Sequence, residues 1–202
     1  MTEAVFIFAH GAGADSNSNF MQQLSAMISD QHIKVILFDF PYMQRRKDTG
    51  KKSPPDRMPK LEAAFIEQIK AVRQSHPTLP LFIGGKSMGG RVASMLADAV
   101  SKDYPIAGVI CFGYPFHPPA KPEKTRTEHL ASLQTPCLII QGTRDTFGKP
   151  HEVATYQLAN TIDVCWIEDG DHSLETLKRS KLTSEQSWQQ AAQVAKQFIV
   201  SH

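Results

Sequence analysis

Apolar positions along the chain follow two alternating rhythms. Short, nearly continuous apolar runs rich in β-branched and aromatic residues recur at Val5–Ala9, Val35–Phe38, Leu81–Ile83, Ile106–Phe112, Cys137–Gln141 and Val164–Ile167. Most are bounded by Gly, Pro or Asp, as expected for strands buried on both faces of a parallel sheet. Between them apolar residues return at helical spacing. Phe20, Leu24, Met27 and Ile28 form one stripe and Leu61, Phe65, Ile69 and Val72 a second; Val92, Met95, Leu96 and Ala99 form a third, and Trp188, Ala192, Ala195 and Phe198 a fourth. Alternating strand and helix predicts an α/β chain: a three-layer α/β/α sandwich around a mainly parallel sheet of about six strands.

Two segments break the alternation, Tyr42–Pro59, which is basic and contains prolines, and Tyr114–Glu128, which reads YPFHPPAKPEKTRTE. Each follows a predicted strand. Ligands of open parallel sheets bind at the carboxyl ends of the strands, so both segments are expected to be irregular and able to wall a site. No repeat or linker divides the chain, and a single domain over residues 1–202 without a separate cap is expected. That leaves a shallow pocket.

Composition adds exclusions. With 41% hydrophobic and 21% charged residues the chain is an ordinary globular protein. Its net charge of +2 is too mild for a nucleic-acid partner, which needs a concentrated basic face. Cys111, Cys137 and Cys165 each sit in an apolar run, as core thiols do, which fits a reducing, cytoplasmic setting. The opening MTEAVFIFAHG has no basic n-region and only a short apolar run, so neither a signal peptide nor a membrane partner is expected. The eight histidines show no metal-ligand spacing, and neither metal nor cofactor is implied.

The strongest chemical signal is Leu81-Phe82-Ile83-Gly84-Gly85-Lys86-Ser87-Met88-Gly89-Gly90, a strand running into Gly-x-Ser-x-Gly and then a helix. A serine on so sharp a turn needs glycines two residues to either side, where side chains would collide. The same letters contain Gly-Lys-Ser, the end of a phosphate-binding loop. That reading fails because the first glycine it needs is Pro80, and a strand stands where its loop should be. A serine hydroxyl becomes a nucleophile only when a base takes its proton, and the base needs an orienting acid. Asp145 in Gly-Thr-Arg-Asp and His172 in Gly-Asp-His-Ser follow later strands in the order Ser, Asp, His. His10-Gly11-Ala12-Gly13 follows the first strand and is expected to form an oxyanion hole, with the Ala12 and Met88 N–H groups as donors.

These four segments resemble the α/β-hydrolases, nearest the dienelactone-hydrolase-like group, and more narrowly the bacterial relatives of the testis-expressed and NSL-complex subunit branch. The likeness covers almost the whole chain. Dienelactone hydrolases proper carry a cysteine nucleophile where this chain has Ser87, so their substrate is not implied. What the resemblance implies is a serine esterase that cleaves a small carboxylic ester through an acyl-enzyme, with Ser87, His172 and Asp145 catalytic and His10, Gly11, Tyr42 and Lys86 lining the substrate. A thioesterase and a silent scaffold that binds a molecule in the same cleft are the alternatives.

Several residues admit more than one role. His10 is read as a hydrogen-bonding residue of the oxyanion loop rather than a second base, and His117 and His129 as solvated or wall histidines. Asp39 is read as a turn residue. Asp169 and Asp171 compete with Asp145, but sequence neighbours of a histidine rarely face it. Arg45, Arg46, Lys47, Lys51, Lys52, Arg57 and Lys60 crowd the segment after Asp39. They read first as a solvated loop and second as a field that steers an anionic substrate to Ser87.

Overall fold

A computed structural model describes residues 3–202; Met1 and Thr2 of the N-terminal segment lie outside the described residues. The chain runs β1 (Ala4–Ala9), α1 (Asn19–Ile28), β2 (Ile33–Phe38), α2 (Pro41–Thr49), α3 (Met58–Ser75), β3 (Leu81–Lys86), α4 (Met88–Val100), β4 (Gly108–Phe112), β5 (Cys137–Gly142), α5 (Pro150–Val153), β6 (Ile162–Ile167) and α6 (Ser184–Ser201). A single 3₁₀ turn, Glu128–Ala131, interrupts the long connection before β5. The strands lie in the order β2-β1-β3-β4-β5-β6 and every pairing is parallel. All six carboxyl ends therefore open on one edge.

Alternation along each central strand divides the core in two. Val5, Ile7, Leu81, Ile83, Val109 and Ile139 face Leu61, Phe65 and Ile69 of α3 and Val92 and Leu96 of α4. Phe6, Phe8, Phe82, Ile110, Phe112 and Ile140 face Met21 and Leu24 of α1 and Trp188, Ala192 and Phe198 of α6. The central strands are buried on both sides, which is why they read as unbroken apolar runs. Each large apolar side chain so buried contributes about 1.5–3 kcal/mol relative to exposure. Among the described residues no helix is long and apolar enough to cross a membrane.

Two expectations need correction. Pro41–Thr49, placed within an irregular segment, is a helix. Pro41 presets its first turn and Gly50 closes it in the left-handed region at φ 66°, while Arg46 and Lys47 sit favourably at the negative end of its dipole. Tyr42 and Met43 are its only buried residues, too few to make a visible stripe. In α4 Ala99, expected in the apolar stripe, is exposed; the buried face instead runs through Val92, Ala93, Leu96, Ala97 and Val100.

Candidate active site

β3 lies at the centre of the sheet, and the chain turns from it into α4 through Ser87, held at φ 50° and ψ −110°. That conformation costs about 1–3 kcal/mol for a residue other than glycine. It is held by a 2.9 Å hydrogen bond from the Ser87 N–H to the Phe112 carbonyl at the end of β4. The flanking glycines are obligatory. A Cβ on Gly85 would lie 2.5 Å from the Ala9 carbonyl oxygen, and one on Gly89 2.6 Å from the same oxygen, a backbone atom of the neighbouring strand.

The loops after β5 and β6 bring two more side chains to Ser87. His172 Nε2 lies 2.9 Å from Ser87 Oγ, and its Nδ1 lies 2.8 Å from Asp145 Oδ2. The two loops are stitched together by the Arg144 N–H donating to Gly170 O and the Asp169 N–H donating to Thr143 Oγ1, both at 2.9 Å. Asp145 is fully buried and also accepts from Gln141 Nε2 at 2.9 Å and from the Phe147 N–H at 2.8 Å. Facing a carboxylate, Nδ1 carries the ring proton and Nε2 turns its lone pair to the serine. Burial holds His172 below its ordinary value; Asp145 opposes that effect and the Lys86 ammonium adds to it. The ring is neutral at pH 7.

Asp171 is occupied elsewhere, and Asp169 makes no bond to His172. Asp171 Oδ1 accepts the Ser173 and Glu175 N–H groups at 2.8 and 3.0 Å and so closes the turn after the histidine. Asp169, in the loop after β6, adopts a left-handed φ of 56°.

The loop after β1 approaches Ser87 from the other side, and a Cβ on Gly11 would lie 3.7 Å from Ser87 Cβ. Its orientation is fixed from behind. The Gly11 carbonyl accepts from His10 Nδ1 at 2.6 Å and from the Tyr42 hydroxyl at 3.4 Å. In a trans peptide the N–H points opposite to the C=O, so pinning that carbonyl away from the cleft turns the Ala12 N–H into it. His10 Nε2 in turn accepts from the Phe40 N–H at 3.1 Å. The Met88 N–H, at the first position of α4, has no acceptor among the described residues, as helix geometry requires.

Gly11 and Lys86, expected beside the substrate, do line the cavity at Ser87. His10 and Tyr42 do not. Both are fully buried behind the loop, where they orient its backbone and cannot reach a substrate. Burial pushes the Tyr42 hydroxyl up to about 12, so it remains a donor. Lys86 is buried too; its ammonium donates to the His172 carbonyl and sits 5.4 Å from the centre of the Phe20 ring. Desolvation lowers it to about 8.

The basic cluster of α2 is mostly engaged. Arg45 pairs with Asp56 at 2.8 Å, Arg46 bonds the Ser53 carbonyl and reaches Ala12 O at 3.5 Å, and Lys47 bonds Asp39 and Asp15. Asp39 also accepts from the Ser16 N–H and hydroxyl, joining the loop after β1 to α2. Lys51, Lys52, Arg57 and Lys60 are exposed. His117 is not solvated, and His129 is only partly so. His117 is buried with Nε2 3.3 Å from Glu152, and His129 Nε2 lies 2.9 Å from Ser94 Oγ. That second serine–histidine contact ties the 3₁₀ turn to α4; desolvation lowers His129 to about 4, and it faces no carboxylate among the described residues.

Ser87 stands where two cavities meet, with Ala12 and Phe147 common to both. One, of about 370 Å³, is walled by His172, Lys86, Phe20 and Met21. The other, of about 480 Å³, is walled by Met88, Arg91, Pro115 and Arg126. The Phe147 ring stacks on His172 with centroids 4.1 Å apart. Gln141, Phe147, Arg91 and Arg126 were not singled out from the sequence. Only Gln141 left a signal there, as an amide ending an otherwise apolar strand.

Comparison with known proteins agrees with this architecture. The alpha/beta hydrolase domain family matches residues 2–200. A dienelactone hydrolase from Anabaena variabilis superposes with a TM-score of 0.72 at 18% identity, over 100% of this chain and 87% of its own. An alpha-beta serine hydrolase homologue from Coxiella burnetii gives 0.69 at 15% identity, over 97% and 85%. A lidless a/b serine hydrolase from Xanthomonas campestris gives 0.68 at 17%, over 96% and 84%. At these identities the likeness is one of fold.

Proposed function

The chain belongs to the alpha/beta hydrolase family, and from that premise we propose that it is a serine hydrolase acting on small carboxylic esters through Ser87, His172 and Asp145. The observation that carries this reading is the unbroken chain from Ser87 Oγ to His172 to the buried Asp145 carboxylate, 2.9 and 2.8 Å long at its two links. Ser87 Oγ attacks the ester carbonyl as His172 Nε2 takes its proton, and the oxyanion is held by the Ala12 and Met88 N–H groups. The imidazolium then gives that proton to the departing alkoxide, leaving an acyl-serine. Water enters, loses a proton to His172 and releases the acid and Ser87.

A fluorophosphonate tests the proposal. It should label Ser87 alone, with labelling abolished in Ser87→Ala, and the unmodified protein should hydrolyse short acyl esters. Absence of both labelling and turnover in folded protein would leave a binding scaffold.

A further inference from the structure

The second cavity at Ser87 is lined by two arginines whose side chains have no partner among the described residues. Among the described residues neither Arg91 nor Arg126 makes a side-chain hydrogen bond or an ion pair, and Arg91 Nε is wholly buried without an acceptor. A buried donor left unpaired is costly, and cations are normally paired when they leave water. Arg91 also stands in the first turn of α4, where the helix dipole disfavours a cation. The two are close enough that the charge of Arg91 adds to burial in depressing Arg126. The cavity's carboxylate, Asp56, is already held by Arg45 at 2.8 Å. What this pocket lacks is an anion.

The orientation of an ester across Ser87 says which part of the substrate brings it. The leaving group must lie against His172, which protonates it, and therefore occupies the cavity that His172 lines. The acyl chain extends the other way, past Met88, toward the arginines. We propose that Arg91 and Arg126 bind a carboxylate at the far end of the acyl group, so that the substrates are monoesters of short dicarboxylic acids. Arg91 is one helical turn from Ser87, which suits a carboxylate a few bonds beyond the scissile carbonyl. Planar guanidinium forks match such a carboxylate in two-point hydrogen bonds.

This inference rests on the serine-hydrolase reading for its orientation, and the test separates the two. Monoethyl glutarate and ethyl pentanoate have acyl chains of equal length and differ by carboxylate against methyl. The unmodified protein should prefer the charged ester in kcat/KM by roughly ten- to a hundred-fold. Arg126→Met and Arg91→Met should each abolish or invert the preference, with the charged ester losing and the neutral one gaining an apolar neighbour. Equal rates on the two esters, or parallel losses on both in each variant, overturn the subsite while leaving Ser87 as nucleophile. Calorimetric titration of Ser87→Ala with monoethyl glutarate tests the subsite without turnover. Binding should be measurable and weaken at least about ten-fold on adding Arg126→Met. Undetectable binding, or binding indifferent to the arginine, overturns it whatever the fate of the nucleophile.

Discussion

At the scale of single residues, two neighbouring carboxylates separate by what they touch. Asp145 reaches His172 Nδ1 and is itself held by Gln141 and Phe147, whereas Asp171 spends its Oδ1 on two backbone N–H groups. Asp145→Asn keeps the shape but presents an amide to the imidazole, so the ring proton moves to Nε2 and the lone pair facing Ser87 is lost. Turnover of a neutral ester should fall by about 10⁴-fold, the scale known for this change in other triads. Asp171→Asn keeps an acceptor oxygen and should change it less than about ten-fold. Steady-state kinetics on both variants check this, and the reverse ranking would displace Asp145 from the acid role. Ser87, Asp145 and His172 could be singled out in the sequence because each follows a strand inside a short motif. Gln141, Phe147, Arg91 and Arg126 were not, because what each faces is set only after the sheet has assembled.

At the scale of elements, the four central strands could be read because burial on both faces leaves few polar positions in them, and most helices because one apolar stripe suffices. α2 escaped because capping, dipole complementarity and two buried side chains hold it, rather than a stripe. It is also the element whose role changed most. Its basic residues read as a solvated surface or a steering field, yet Tyr42 and Arg46 both bond the Ala12 carbonyl, at 3.1 and 3.5 Å, and Lys47 bonds Asp39. The helix thus braces the loop after β1, which the proposed mechanism uses to hold the oxyanion, from behind. Removing one oxyanion donor costs about 3 kcal/mol, and loosening one should cost a part of that. Tyr42→Phe combined with Arg46→Met should lower kcat for a neutral ester about ten-fold, with KM little changed and the fluorophosphonate reaction slowed in parallel. Unchanged turnover in the double variant would mean that the loop holds its own shape.

At the scale of the whole molecule, three histidines built into the fold couple its stability to pH. Desolvation lowers His10 and His172 below 6.5 and His129 to about 4; in His129 the charge of Arg91 acts in the same direction. An unfolded chain takes up these protons near pH 6.5, before the folded one does. The contribution is therefore complete above 6.5 and is lost as pH falls from there toward the folded values, about 4 for His129. The carboxylates act in a lower window. Asp30, Asp39, Asp98 and Glu152 are held below 3.8 or 4.5, so their contributions fade only beneath those values. Stability between pH 7 and 5 should thus report mainly the histidines. His129 is only partly buried, which limits its share to about 1 kcal/mol, or about 2–4 °C in Tm for a chain of this size. Thermal melts should show Tm falling from pH 7 to 5, with a shallower fall in His129→Gln and an unchanged one in His151→Gln, whose histidine is exposed. A flat Tm over that range, or one slope shared by all three proteins, would mean that His129 takes up its proton in the folded state as readily as in the unfolded chain.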